Sequence, residues 1–241
     1  MNKKYTYIWV SFIILIFGII VIPRIVNRIK SGTVTEIDRM NTTPSAKRLS
    51  YITLNGEKRK VPSFQFINQD SLLVSDKDYL GKVYLVEFFF TSCPSICPIM
   101  TENLVELQNY FSYNDNFGVA SFSITPQYDT PAVLKAYAKK YGITDTDWHL
   151  MTGDRDAIYD LANSGFNIYA AEMPDVPGGF EHSGLFALVD KQGFIRSRLD
   201  KSGNPLIYYR GAISEETGEN SQGETEEISL LKEDIKKLLL E

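Results

Sequence analysis

Only two cysteines and two histidines occur among the 241 residues. So few cysteines exclude a disulfide-stapled scaffold. Positive charge is also scarce beyond the N-terminus. Lys3, Lys4, Arg24, Arg28 and Lys30 fall in the first thirty residues with no acid among them, leaving 20 basic against 30 acidic residues, a net of −10, in the remainder. Without a basic stripe to neutralise phosphates, that remainder excludes nucleic acid as a partner. No internal repeat is present, so the length suits one membrane-tethered globular domain. Hydrophobic residues make up 44% and aromatics 12% of the chain, ample for a packed core and against wholesale disorder.

Residues 5–22 are eighteen positions without a charge, between Lys4 and Pro23-Arg24. That is near the lower limit for crossing a bilayer and longer than a typical signal-peptide core. Pro23, Arg24 and Ile25 stand where the small residues of a cleavage site would be. The sequence therefore predicts an uncleaved anchor over 1–23, a polar stalk over 24–47 and a globular domain over 48–241. Lys3 and Lys4 with the chain's amine roughly match Arg24, Arg28 and Lys30, so charge alone does not orient the anchor.

Ser50–Leu54 followed by Asn55-Gly56 reads as a strand and turn, and Val61–Phe66 as a second strand, edge-compatible through Pro62. Lys82–Phe90 is apolar apart from Glu87, the pattern of a strand buried on both faces, and Phe117–Ile124 is a second central strand. Spacing predicts helices from about Ile99 to Tyr110, from Ala132 to Tyr141 with Asp129 or Thr130 as N-cap, and from the Asp154 cap through Ala162. His149–Met151 reads as a short strand, and a Pro/Gly-rich irregular segment runs from Gly165-Phe166 to His182. A hairpin over Gly184–Val189 and Gly193–Leu199, an acidic linker over 214–227 and a helix over Ile228–Leu240 complete the chain. The order β-α-β-α-β-α-β-β-α is a thioredoxin-like α/β fold with an added N-terminal β-hairpin, preceded by one transmembrane helix.

Both cysteines leave the first central strand in Cys93-Pro94-Ser95-Ile96-Cys97. Four residues is about one helical turn, which predicts both sulfurs on one face of a helix whose N-terminus acidifies them. Such a pair can form a disulfide or share a soft metal ion. A purely structural bridge over so small a loop removes little chain entropy. A thioredoxin-type oxidoreductase places two residues between its cysteines and a cis-proline before the next core strand. Here three residues intervene, and Glu181-His182-Ser183-Gly184 puts a histidine where that proline would stand. Two thiolates and the His182 imidazole make a soft, three-coordinate set suited to Cu(I), and tolerable to Cu(II) with a water or carboxylate added, whereas a structural zinc site takes a fourth protein ligand. His149, at a strand start, reads as structural.

Three blocks carry a family resemblance: Phe89-Phe90-Thr91-Ser92-Cys93-Pro94-Ser95-Ile96-Cys97-Pro98, Ser123-Ile124-Thr125-Pro126-Gln127-Tyr128-Asp129-Thr130-Pro131, and Glu181-His182-Ser183. Leu150-Met151-Thr152-Gly153 also fits. Over about residues 61–199 the chain resembles the SCO/SenC family of copper-binding, thioredoxin-fold assembly factors for cytochrome c oxidase. The resemblance implies that Cys93, Cys97 and His182 bind copper and that Cys93 and Cys97 cycle between dithiol and disulfide. It departs at Ser95, where the family often has an acid, and at Gln127-Tyr128, where it often has an acid–arginine pair. Neither change removes a ligand.

The expected function is a membrane-anchored copper chaperone. Its soluble domain faces the exported side, and the resemblance implies that its recipient is the copper A centre of an oxidase subunit. The rivals are a thiol–disulfide reductase acting on that subunit's cysteines, served by a thiol reductant protein, and a copper or redox sensor.

Overall fold

The computed structural model describes residues 15–18, 21–22, 48–173, 180–200 and 202–241, without the side chains of Glu181 and His182. It divides into two units, Met1–Lys47 and Arg48–Glu241. In the first, residues 15–18 and 21–22 are helical. The anchor read over 5–22 lies mostly outside the described residues, among which no helix is long and apolar enough to cross a membrane.

The second unit is built on a sheet whose centre is two fully buried strands, β6 (Val83–Phe89) and β7 (Phe117–Ser123). They run parallel in register, Val83 opposite Phe117 through Phe89 opposite Ser123. β8 (Trp148–Thr152) continues the parallel set beside β7. Parallel strands need cover on both faces, which explains the near-continuous apolar runs. Antiparallel strands extend both sides: β11 (Leu185–Val189), β12 (Ile195–Ser197) and β1 (Ser50–Tyr51) beyond β6, then β4 (Gln65–Asn68) and β5 (Leu73–Ser75) beyond β8.

Alternation along the strands separates two cores. Phe88 and Phe122 stack with centroids 5.4 Å apart and meet Phe166 and Phe64 on one face. On the other face Phe89 meets Tyr137. The helices are α1 (Ile96–Tyr110), α2 (Pro131–Tyr141), α3 (Arg155–Asp160) and α4 (Ile228–Leu240). Thr130 caps α2 by accepting from the Val133 N–H, and Asp154 caps α3 by accepting from the Ala157 N–H.

Several features differ from the sequence expectation. The front pairing is a short hairpin of β2 (Thr53–Leu54) and β3 (Glu57–Lys58), while β4 pairs with β8 and with a strand the sequence did not announce, β5. The segment read as irregular up to His182 contains β9 (Ala170–Glu172) paired with β10 (Phe180–His182). Residues 174–179, between them, lie outside the described residues. β13 (Tyr209–Arg210) adds to the far end of β11. The acidic segment read as a linker is folded into turns, closed by a bridge between Glu219 and Thr225. α4 then buries Ile228, Leu231, Ile235 and Leu238, each contributing about 1.5–3 kcal/mol of apolar burial.

Candidate metal centre

The central strand β6 ends at Phe89, and Phe90 to Ser92 turn the chain so that Cys93 precedes the helix. The Cys93 N–H closes this turn on the Phe90 carbonyl at 3.3 Å. α1 begins at Ile96, so Cys97 lies in its first turn and Cys93 lies outside it. The two sulfurs therefore do not share a helix face as the spacing suggested. They meet because the turn folds Cys93 back over the helix start, where its thiol hydrogen-bonds that of Cys97. Cys93 Sγ is also 3.6 Å from Ser95 Oγ.

Burial separates the two thiols: Cys93 retains 8% of its exposure and Cys97 only 1%. Burial, with the Cys93 thiol as second cause, holds the Cys97 thiol far above the ordinary range; a bond from the Phe90 backbone only partly opposes it. The acidified thiol expected from a helix N-terminus is thus not found at Cys97. Loss of water outweighs the helix dipole there.

His182 ends β10, opposite Ala170. Its side chain lies outside the described residues, and among these no three His, Cys, Asp or Glu side chains form a metal-binding group. The backbone around it does approach the cysteine turn. Phe180, also on β10, packs on Phe90 with centroids 5.6 Å apart. Gly184, two residues beyond His182, lies against Ile96, the first residue of α1. The second histidine, His149, is elsewhere: on β8, in a 3.2 Å contact with the Asn68 amide and edge-on to Tyr79. Burial lowers its pKa, opposed by Asp147 and other nearby carboxylates.

Two buried carboxylates complete the neighbourhood, and the sequence named neither as part of the site. Asp129, read there as an alternative helix cap, instead accepts from the Thr91 N–H and hydroxyl, from Ser123 Oγ at 2.6 Å and from Thr125 Oγ1 at 2.9 Å. It ties the cysteine turn to the end of β7. Glu87, the lone acid of β6, accepts from Ser121 Oγ at 2.6 Å, and Trp148 Nε1 donates to that same hydroxyl at 2.9 Å. Its Oε2 has no hydrogen-bond partner among the described residues. Burial pushes this carboxyl up to about 7, opposed by the Ser121 bond. A single acid inside an apolar strand was the visible signal for Glu87; a burial-independent signal for Asp129 was absent.

Grooves of about 640 Å³, between β4 and α3, and about 880 Å³, beside α2, are lined by neither cysteine. The chemistry is that of a soft-donor pair: two buried thiols, Cys93 keeping slightly more exposure than Cys97, and a histidine-bearing strand end beside them. Such a set accepts a thiophilic ion or exchanges with another disulfide.

The family model for SCO1/SenC matches residues 53–212. A SCO1 protein homolog from Bacillus subtilis (strain 168) is 33% identical over 136 residues, 56% of this chain and 70% of that protein. A relative from Stutzerimonas stutzeri is 25% identical over 154 residues, 61% of this chain and 72% of that protein. Among solved structures, BsSco superposes with a TM-score of 0.59 at 27% identity, covering 75% of this chain and 94% of that one. With its thioredoxin-like sheet, its cysteine turn at the end of β6 and a family match over most of the second unit, the chain belongs to the SCO1/SenC family.

Proposed function

We propose that the protein is a membrane-anchored copper chaperone for the copper A centre of a cytochrome c oxidase subunit. The anchor is residues 1–23, followed by a stalk over 24–47 and the soluble domain on the exported side. Cys93 and Cys97 hold the ion and His182 completes the set. The observation that carries this reading is the pair of neighbouring buried thiols at the start of α1, Cys93 slightly more exposed than Cys97. Two sulfur donors fit Cu(I) by softness, and three donors suffice for it. The Stutzerimonas relative is described as copper-binding, and BsSco as a member of a family of cytochrome c oxidase assembly proteins.

Copper is cargo here, so the residues' task is to take it up and release it. Each thiol yields its proton as it binds. Cys93, the less deeply buried of the two, is the donor from which release to a recipient by ligand exchange begins, while Cys97 keeps its side of the site dry.

A second reading, reduction of disulfides in the oxidase subunit, is favoured by the unequal exposure of the two thiols. Cys93 as thiolate attacks the partner's disulfide, forming a mixed disulfide and releasing one partner thiol. Cys97, losing its proton, then closes the Cys93–Cys97 bond and expels the second. The two electrons from this dithiol leave the partner reduced. BsSco is described as carrying a disulfide switch.

Titrating the reduced protein with Cu(I) against a chromophoric competitor tests the reading. One copper per chain is expected. Cys93→Ser or Cys97→Ser should abolish tight binding, and His182→Ala should weaken it about ten-fold or more while metal-free folding persists. One tightly held copper in either cysteine variant would remove the site as drawn.

A further inference from the structure

A short segment after β13 bridges the two halves of the centre. Asn103, buried in α1, donates from its amide to the Gly211 carbonyl at 2.9 Å and the Ile213 carbonyl at 3.2 Å. The Gly211 N–H in turn donates to the Gly184 carbonyl at 2.9 Å. Gly184 has φ of +63°, and a Cβ there would meet Ile96 Cδ1 at 3.2 Å and Ala212 Cβ at 3.4 Å. Gly211 is equally confined, since its Cβ would come within 2.5 Å of the Phe186 ring. Both positions require glycine, one for its backbone angle and one for close approach. Residues 211–213 are therefore wedged between the helix that carries Cys97 and the corner that follows His182.

Satisfying two buried carbonyls is use enough for an asparagine, since each left bare costs about 1–3 kcal/mol. That role does not account for the choice of carbonyls. Those bonded belong to the segment that also holds Gly184, and Gly184 touches the residue beside Cys97. We propose that Asn103 is a positioning residue for copper: acting through Gly211, it fixes the His182 backbone against the cysteine helix. The inference rests on the copper reading above. A ligand whose backbone is held in advance loses less freedom when the ion binds, so loosening the strut weakens affinity without removing a donor. It also gives a task to a stretch at the C-terminal edge of the family match.

The test is a double-mutant cycle on the full chain: wild type, Asn103→Ala, His182→Ala and both together. Cu(I) affinity is measured by competition at a temperature where melting curves show every variant folded. Amide exchange of Gly211 is followed in the metal-free protein. Asn103→Ala is expected to lower affinity about ten-fold, to cost nothing further in the His182→Ala background, and to speed Gly211 exchange. Unchanged affinity in Asn103→Ala, or the same loss in both backgrounds, overturns the positioning role while leaving the His182→Ala effect intact. Wild-type affinity in His182→Ala sinks the ligand set itself, and this inference with it. Asn103→Ser, which keeps a hydroxyl donor in a smaller gap, carries the same cycle if the alanine variant fails to fold.

Discussion

Asp129 grips Thr91 twice, by its backbone N–H at 3.1 Å and by its hydroxyl, two residues before Cys93. Ser123 and Thr125 bond the same carboxylate, whose residue is only 1% exposed. Among the described residues this buried carboxylate has four donors and no cation, so dipoles hold it, and its position sets the cysteine turn.

Removing that grip should loosen the turn before it unfolds the domain. Asp129→Ala leaves the Thr91 N–H and three hydroxyls without this acceptor, and should cost about 3 kcal/mol in chemical denaturation. Asp129→Asn keeps the volume and one acceptor oxygen but replaces the other with an NH2, so it should rescue only in part. In both, Cys93 should alkylate several-fold faster than in wild type at temperatures where the protein is folded. An unchanged alkylation rate would mean that Thr91 and Asp129 do not govern the turn.

Glu87 provides a pH dependence whose sign is fixed. Its carboxyl titrates near 7 in the folded protein against an ordinary 4.5. Between those values the folded state binds the extra proton, so stability falls as pH rises and is lowest above pH 7. The full span corresponds to about 3 kcal/mol. Glu87→Gln stays neutral throughout, so its melting temperature should gain on wild type from pH 5 to pH 8.5 in the metal-free protein. A pH-independent difference would show that Glu87 does not titrate in this window.

How far the chain could be read depended on the range of the forces involved. The buried strands β6 and β7 were visible as apolar runs, and α4 was read over Ile228–Leu240 as it is found, because its apolar positions recur at helical spacing. The proline and threonine at the start of α2 carried local capping chemistry, which is also legible. β5, β9, β10 and β13 are only two or three residues long, too short for an alternating pattern to announce them, although β5 pairs with neighbouring β4 and β9 with β10. At the centre, the cysteines were evident from their scarcity. The high pKa of Cys97 was not, since it comes from surroundings that only the packed helix supplies. Asn103 and Asp129 act through partners 108 and 38 residues away, beyond any spacing rule.

The orientation of the anchor is open to direct measurement. Charge is nearly balanced across residues 5–22, and long domains translocate largely regardless of such counts. Delivery to an oxidase copper centre requires Cys93 and Cys97 on the exported side. A reporter that works only outside the cytoplasm, fused after Glu241, should be active. Activity instead from a cytoplasm-only reporter at that position would overturn both the orientation and the chaperone reading.

Asp234 decides whether the C-terminal stretch is an appendage or part of the core. Fully buried in α4, it accepts from Arg198 Nε at 2.6 Å and from its terminal guanidinium nitrogen at 2.9 Å, and from the Tyr209 hydroxyl at 2.8 Å. It thus joins the helix to the residue that follows β12 and to β13, the strand leading into residues 211–213. Asp234→Ala would take two bonds from the Arg198 guanidinium, which keeps Glu233 and the Leu230 carbonyl, and would leave the buried Tyr209 phenol without its acceptor, a loss of about 1–3 kcal/mol. For a domain of this size that is roughly a 5 °C fall in melting temperature. Tyr209→Phe removes only one bond and should cost about 1 kcal/mol. If Asp234→Ala melts within a degree or two of wild type, the Asp234 bonds do not brace α4 against β13, and a strut running from β13 to the metal centre would lack that support.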